Sequence, residues 1–291
     1  MKLSYLKLTL TGLLMPLFII SCDNSDDPIA VDDEAVIQQY IQDNGINAVK
    51  SEEWDVYYTE ITPGNGTEVN TNDVVEISYQ HALLDGSVFL EDSSYTFVPE
   101  VYAYMSGLIR ATLTMTEQGN SSFIIPSSYA FAGYSFTIND VFIPENSVIT
   151  SNITLKAVRN RTEQLAHEIE LIRDYMTGLG YEGSEPNIDG LFKEIITEGD
   201  GESPQSGAQV LVEYEGSFLD GSVFNETTET TFTLSASGLI QGFYDAVLTM
   251  KVGEEAIFAM PSNLGYGDTG PSSGTIDPFT PLVFKIKLIE I

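Results

Sequence analysis

Side chains able to do covalent or acid–base chemistry are few and scattered in this sequence. Cys22 is the single cysteine, so no disulfide can close within the chain. His81 and His167 are the two histidines, and neither has a partner at ligand spacing, so no metal site is expected. Gly265-Tyr266-Gly267-Asp268-Thr269-Gly270 matches the glycine fingerprint of dinucleotide phosphate turns letter for letter. Such a turn has to run from a strand into a helix, whereas here Pro271-Ser272-Ser273-Gly274 follows and continues as loop. No cofactor is expected. Asn225-Glu226-Thr227 is a glycosylation triplet, which has meaning only in a eukaryotic secretory setting.

The elements that must position any site come in two copies. Leu84-Asp85-Gly86-Ser87-Val88-Phe89 recurs unchanged as Leu219 to Phe224, and Leu113-Thr114-Met115 recurs at the same offset as Leu248-Thr249-Met250. That offset also pairs Ile61 to Gly66 with Ile196 to Gly201, Tyr79 with Tyr214, Phe97 with Phe232 and Pro126 with Pro261. A constant offset over separated matches means a duplicated structural unit. It reaches back to Tyr40 and Tyr175, inside two segments with helical spacing: Val36, Ile37 and Ile41 in one, Leu165, Ile169, Ile172 and Met176 in the other. Gly45 and Gly178-Leu179-Gly180 end them, and each is expected to lead into its domain as a short amphipathic helix that caps or spaces it.

Inside each copy the pattern is of short strands with turn signals. Residues 210–218 read as a strand closed by the Asp220-Gly221 turn, with a second strand through Phe224. Leu239, Ile240, Phe243, Val247 and Met250 give one apolar helical face, and further strands are expected at 255–260 and 282–291. Many strands and one helix per copy predict an α+β fold, an antiparallel sheet wrapped around one short helix.

Val212-Glu213-Tyr214-Glu215-Gly216, Asp220-Gly221-Ser222-Val223-Phe224, Leu239-Ile240-Gln241-Gly242-Phe243, Leu264-Gly265-Tyr266-Gly267 and Leu282-Val283-Phe284 follow one another in an order that resembles the motifs of FKBP-type prolyl isomerases. The resemblance covers the C-terminal part of the chain, with all its landmarks in sequence. It implies a half-open sheet around the helix with an aromatic pocket between them, lined by Tyr214, Phe224, Phe232, Leu239, Ile240, Phe243, Tyr266, Ile276 and Phe284. It implies that Tyr214, Phe224, Phe243 and Tyr266 carry the catalysis. The backbone N–H of Ile240 and the hydroxyl of Tyr266 would hold carbonyls of the bound peptide, with the glycine-rich stretch as the loop over the pocket. Two positions depart from the better-known members: Phe243 stands where a tryptophan floors the pocket, and Asn225 where an aspartate follows the pocket phenylalanine.

The reaction so implied suits an apolar pocket. Rotation about an X-Pro bond meets a barrier of roughly 18–20 kcal/mol set by amide resonance, and needs no nucleophile, metal or cofactor. An apolar cavity disfavours the planar, polar amide relative to the twisted one, while fixed donors hold the turn. The first copy keeps Tyr79, Phe89 and Phe97, but Met105 stands opposite Ile240, Leu108 opposite Phe243 and Phe131 opposite Tyr266. His81 replaces Gly216, Leu90 replaces Asn225 and, after a slip of about two positions, Ser151 faces the place of Phe284. That copy is expected to be degenerate and inactive, left to bind, brace or dimerise.

The segment 1–21 carries two lysines and an apolar run from Leu8 to Ile20, which reads as an export signal. Phe18-Ile19-Ile20-Ser21-Cys22 resembles the lipobox of bacterial lipoproteins, which implies lipidation (palmitate) of Cys22 and a protein held on a bacterial membrane, the outer more than the inner, without crossing it. Loss of residues 1–21 takes Lys2 and Lys7 with it and leaves the chain two units more negative than its formal −31. That charge excludes nucleic acid as a partner and serves solubility. The organisation expected is therefore signal 1–21, acidic tether 22–33, degenerate domain 34–158, linker helix 159–186 and isomerase domain 187–291. Expected partners are proline-containing peptides or unfolded exported proteins, together with the membrane surface. The alternatives are a non-catalytic peptide-binding or chaperone lipoprotein, or a part in a surface assembly such as the gliding-motility lipoprotein isomerases that the tandem layout resembles.

Overall fold

A computed structural model describes residues 33–101, 105–187 and 189–291. The signal, Cys22 and most of the acidic tether lie outside the described residues. The chain forms two compact units, with the main division between Val158 and Arg159.

The first unit runs α1 (Asp33–Asn44), β1 (Val49–Lys50), β2 (Tyr57–Thr62), β3 (Val74–Leu83), β4 (Val88–Phe97), α2 (Ser106–Thr112), β5 (Asn120–Ile125), β6 (Phe136–Ile138), β7 (Val141–Ile143) and β8 (Ile149–Arg159). The second runs α3 (Arg161–Gly178), β9 (Phe192–Thr197), β10 (Gln209–Ser217), β11 (Val223–Thr233), α4 (Gln241–Leu248), β12 (Glu255–Met260) and β13 (Leu282–Glu290). The sheet orders are β1-β2-β5-β8-β3-β4 and β11-β10-β13-β12-β9. Shifted by the repeat offset the two orders coincide, apart from the extra edge strand β1 and the hairpin β6–β7, which forms a small sheet of its own.

The hairpins form where the turn chemistry requires. Asp220 Oδ1 accepts from the Ser222 N–H at 2.9 Å, and Gly221 takes a positive φ of 83° that a side chain would resist. The first copy repeats this with Asp85, Ser87 and Gly86. After the glycine-rich loop the offset shortens by two: Phe123 pairs with Ser151 on β8, and Phe258 pairs with Phe284 on β13. The expected slip is what the register has, and Ser151 occupies the position of Phe284.

Helix α3 is set by a capping box. The Asn160 side chain accepts from the Thr162 and Glu163 N–H groups, and Glu163 accepts from the Asn160 N–H at 2.8 Å. Its end is a Schellman turn, with Gly180 at positive φ and the Tyr181 N–H donating to the Met176 carbonyl. The buried stripe of α3 is Gln164, Glu168, Ile172 and Met176, at steps of four. Ile172 and Met176 pack with Phe192, Ala259 and Val283. Those strand residues alternate with the side chains that face α4, so the second sheet carries α4 on one face and α3 on the other. In the first unit Ile37 of α1 packs in the same way with Tyr57, Ile124 and Val148.

Candidate functional site

The site is built where α4 crosses the inner face of the second sheet. Gly242 lets the helix come close: a β-carbon there would lie 2.3 Å from Met260 Sδ and 3.1 Å from Leu264 Cβ. The next residue, Phe243, is thereby pressed into the sheet, with its ring 5.2 Å from Phe284 and 5.4 Å from Tyr214, both edge-on. Phe284 also meets Phe224 edge-on at 5.7 Å. Edge-to-face pairs of this kind contribute about 0.5–1.5 kcal/mol each beyond area burial.

A second glycine admits the rings from the strand side. Gly216 on β10 pairs directly with Phe284 on β13 and with Asn225 on β11. A β-carbon there would sit 2.8 and 2.9 Å from ring atoms of Phe224 and 2.9 Å from Phe284. Glycine in a strand interior marks such a close approach.

All nine residues expected at the pocket join one cluster. Phe243, Ile276 and Phe284 form its buried floor, and Tyr214, Phe224, Phe232, Leu239, Ile240 and Tyr266 stand half-buried at its rim. The glycine-rich loop contributes Ile276; it is closed by the Phe279 N–H donating to the Gly267 carbonyl, and Gly270 is needed because the Ile276 carbonyl lies 2.4 Å from where a β-carbon would be. Burial, and then the nearby Tyr214, raise the Tyr266 phenol above its usual range, so near neutral pH it keeps its proton and can donate. Ile240 is the N-cap of α4, and among the described residues no partner inside the chain takes up its N–H. Asn225 is exposed beside the cluster. Phe218, 5.1 Å from Phe224, is an aromatic neighbour absent from the expected set, although its place at the mouth of the Asp220-Gly221 hairpin could have flagged it. A charged cavity of about 500 Å³, lined among others by Glu213, Glu215, Glu226, Lys285 and Lys287, shares Tyr214 with this cluster.

The first unit has the same frame with the space filled. Met105 caps α2 as Ile240 caps α4, and Leu108 is buried where Phe243 lies. Phe89 and Phe97 are each 1% exposed, unlike the half-buried Phe224 and Phe232. His81 stacks on Tyr79 at 4.5 Å and lies 6.1 Å from Phe89, and burial pushes its pKa down to about 3. The Phe284 ring is replaced by Ser151, so the imidazole supplies the bulk that the opposite strand has lost. The Nδ1 of His81 and the Oγ of Ser151 are both buried, and among the described residues neither has a hydrogen-bond partner. Phe131, at the place of Tyr266, packs at 5.4 Å on Phe136 of the β6–β7 hairpin.

The family model described as FKBP-type peptidyl-prolyl cis-trans isomerase matches this chain twice, over residues 65–171 and 200–289. The chain belongs to that family. Among its bacterial relatives, the probable FKBP-type isomerase FkpA of Neisseria meningitidis is 37% identical over 112 residues, 38% of this chain and 41% of that protein. The FKBP-type 22 kDa isomerase of Escherichia coli is 33% identical over 112 residues, 38% of this chain and 54% of that one. The outer membrane protein MIP of Legionella longbeachae is 35% identical over 114 residues, 37% and 48% of the two chains. The match thus spans about half the length of these relatives. The aromatic cluster of the second unit falls inside the second matched range, and its counterpart in the first unit falls inside the first. Among the described residues no three His, Cys, Asp or Glu side chains gather to hold a metal, and no helix is long and apolar enough to cross a membrane.

Proposed function

We propose that the second unit is a prolyl-peptide isomerase acting on X-Pro bonds of exported or envelope proteins, and that the first unit does not catalyse. The observation carrying this reading is the contrast in exposure between equivalent rings: Phe224 and Phe232 meet solvent, whereas Phe89 and Phe97 are sealed. In the first unit the equivalent rings are sealed, with His81 in the place of Gly216, whereas the half-buried Phe224 and Phe232 rings of the second leave an apolar surface on which a proline ring can lie. Phe243, Phe284 and Ile276 offer an apolar floor that favours the twisted amide, and Tyr266 Oη and the Ile240 N–H are donors for the peptide carbonyls on either side of it. The envelope setting rests on the signal and lipobox read in residues 1–22, and on kinship with proteins such as the Legionella outer membrane protein MIP.

The test is a proline-limited refolding assay with the full chain and its Tyr266→Phe and Phe243→Ala variants. The wild type should accelerate refolding. Tyr266→Phe, which removes one hydrogen bond of about 1 kcal/mol, should lower kcat/KM about fivefold to tenfold. A wild type that leaves the slow phase unchanged but suppresses aggregation of the client would replace this reading with a non-catalytic binding module.

A further inference from the structure

One contact between helix and loop recurs in both units and has no part in the pocket itself. The Glu168 carboxylate on α3, 2% exposed, accepts from the Ser262 backbone N–H at 2.7 Å and from the Ser262 hydroxyl at 3.0 Å. Gln164, also buried, donates to the same carboxylate at 3.0 Å, and Arg159 donates to Gln164 in turn. Burial raises the Glu168 pKa, and the bonds from Ser262 and Gln164 oppose that rise. At the equivalent position of the first unit, the Asp33 carboxylate accepts from the N–H and the hydroxyl of Ser127, both at 2.8 Å.

Ser262 is where this contact meets the pocket. It opens the 3-10 turn Ser262–Leu264, and its carbonyl accepts from the N–H of Gly265 at 2.9 Å and of Gly267 at 2.8 Å. Those two amides flank Tyr266. Leu264, in the same turn, supports Gly242 of α4 from the other side. Farther along the loop Arg161, at the start of α3, pairs with Asp268 at 2.8 Å. The loop bearing the pocket hydroxyl is therefore tied to α3 at one buried point and one exposed point. The exposed pair contributes little by itself. The buried one combines a charged acceptor with three donors, and removing it would leave the Ser262 N–H without a partner.

We propose that Glu168 is a positioning residue for the isomerase pocket: from the helix on the far face of the sheet it holds Ser262, whose carbonyl brackets Tyr266. The proposal rests on the isomerase reading for its effect on turnover, but the geometry it describes is independent of turnover. Glu168→Gln keeps one acceptor for the Ser262 N–H, Glu168→Leu removes both acceptors, and Ser262→Ala removes only the hydroxyl.

The experiment is amide hydrogen exchange of the full chain, followed residue by residue, alongside titration with a proline-containing tetrapeptide and isomerase kinetics. Loss of hydrogen bonds to a charged acceptor should speed exchange at Gly265 and Gly267 about tenfold or more in Glu168→Leu, with Ile286 and Leu288 in β13 unchanged. Peptide affinity should fall and KM rise by a similar factor, with kcat less affected. Glu168→Gln should restore both to within about threefold of wild type. Ser262→Ala, which does not endanger the fold, should give an intermediate rise in exchange. Wild-type exchange at the two glycines in Glu168→Leu or in Ser262→Ala overturns the proposal, as does a rise spread evenly over the whole sheet. If the wild type proves inactive, exchange and peptide affinity still decide whether Glu168 sets the loop, so the two readings fail separately.

Discussion

Replacing Gly216 by alanine is the sharpest perturbation of the aromatic frame, because it adds one methyl group at a position with no room for it. The new carbon would lie 2.8 and 2.9 Å from two atoms of the Phe224 ring and 2.9 Å from Phe284. Ordinary carbon contacts lie near 3.5–4.0 Å, so the rings have to retreat by about 0.6–1.2 Å. Phe284 cannot retreat alone, since it is packed against Phe243 at 5.2 Å and Phe224 at 5.7 Å. Overpacking of this kind costs about 1–3 kcal/mol, against which a less flexible unfolded chain returns about 0.4–1 kcal/mol. If most of the remainder falls on the pocket, kcat/KM should drop about threefold to thirtyfold while the domain stays folded. The assay is prolyl isomerisation by the full chain, with denaturant unfolding measured on the same sample. A Gly216→Ala protein with wild-type kcat/KM would refute the view that the spacing of Phe224 and Phe284 makes the site, and so would a loss of activity wholly explained by unfolding.

Two further outcomes concern other parts of the chain. His81 has its pKa pushed down from 6.5 to about 3 by burial, so between those values the unfolded chain binds a proton that the folded one does not. Stability of the first unit should therefore rise with pH across that window by up to about 1.4 kcal/mol per pH unit and be lost as pH falls below 6.5. Unfolding followed through Trp54, the only tryptophan and a residue of the first unit, checks this, and His81→Leu should flatten the curve; equal slopes in the two proteins would contradict it. Cys22→Ser should move the protein from the membrane fraction to the soluble fraction of an expressing bacterium, and retention at the membrane would refute the lipid anchor.

The duplication carried most of the fold, because one constant offset with a later slip of two relates β2, β3, β4, α2, β5 and β8 of the first unit to β9, β10, β11, α4, β12 and β13 of the second. The nine positions that the family resemblance implied for a pocket meet in one cluster. What escaped was polar and buried. Gln164 and Glu168 continue the stripe of Ile172 and Met176 at steps of four, but a carboxylate on a helix ordinarily faces water. Only the serine after each repeated proline, Ser127 and Ser262, hinted at its partner. The filling of the first pocket was half visible: the substitutions at His81 and Ser151 could be read singly, but that one compensates the volume of the other depends on β3 and β8 lying side by side. The hairpin β6–β7 was not foreseen, since its strands are too short to show a resolvable alternation.

The placement of α3 also decides where this protein can be cut. Strand β8 ends at Arg159 and α3 begins at Arg161, so Asn160, the capping residue, is the single residue between these two elements along the chain. The unit that was copied is thus helix first and sheet second. A fragment begun at residue 187 would carry every motif of the family and yet be half a module, with Phe192, Ala259 and Val283 stripped of their cover and presented to water as a sticky face. The natural seam lies at the cap, a whole helix upstream of where the family motifs alone would draw it.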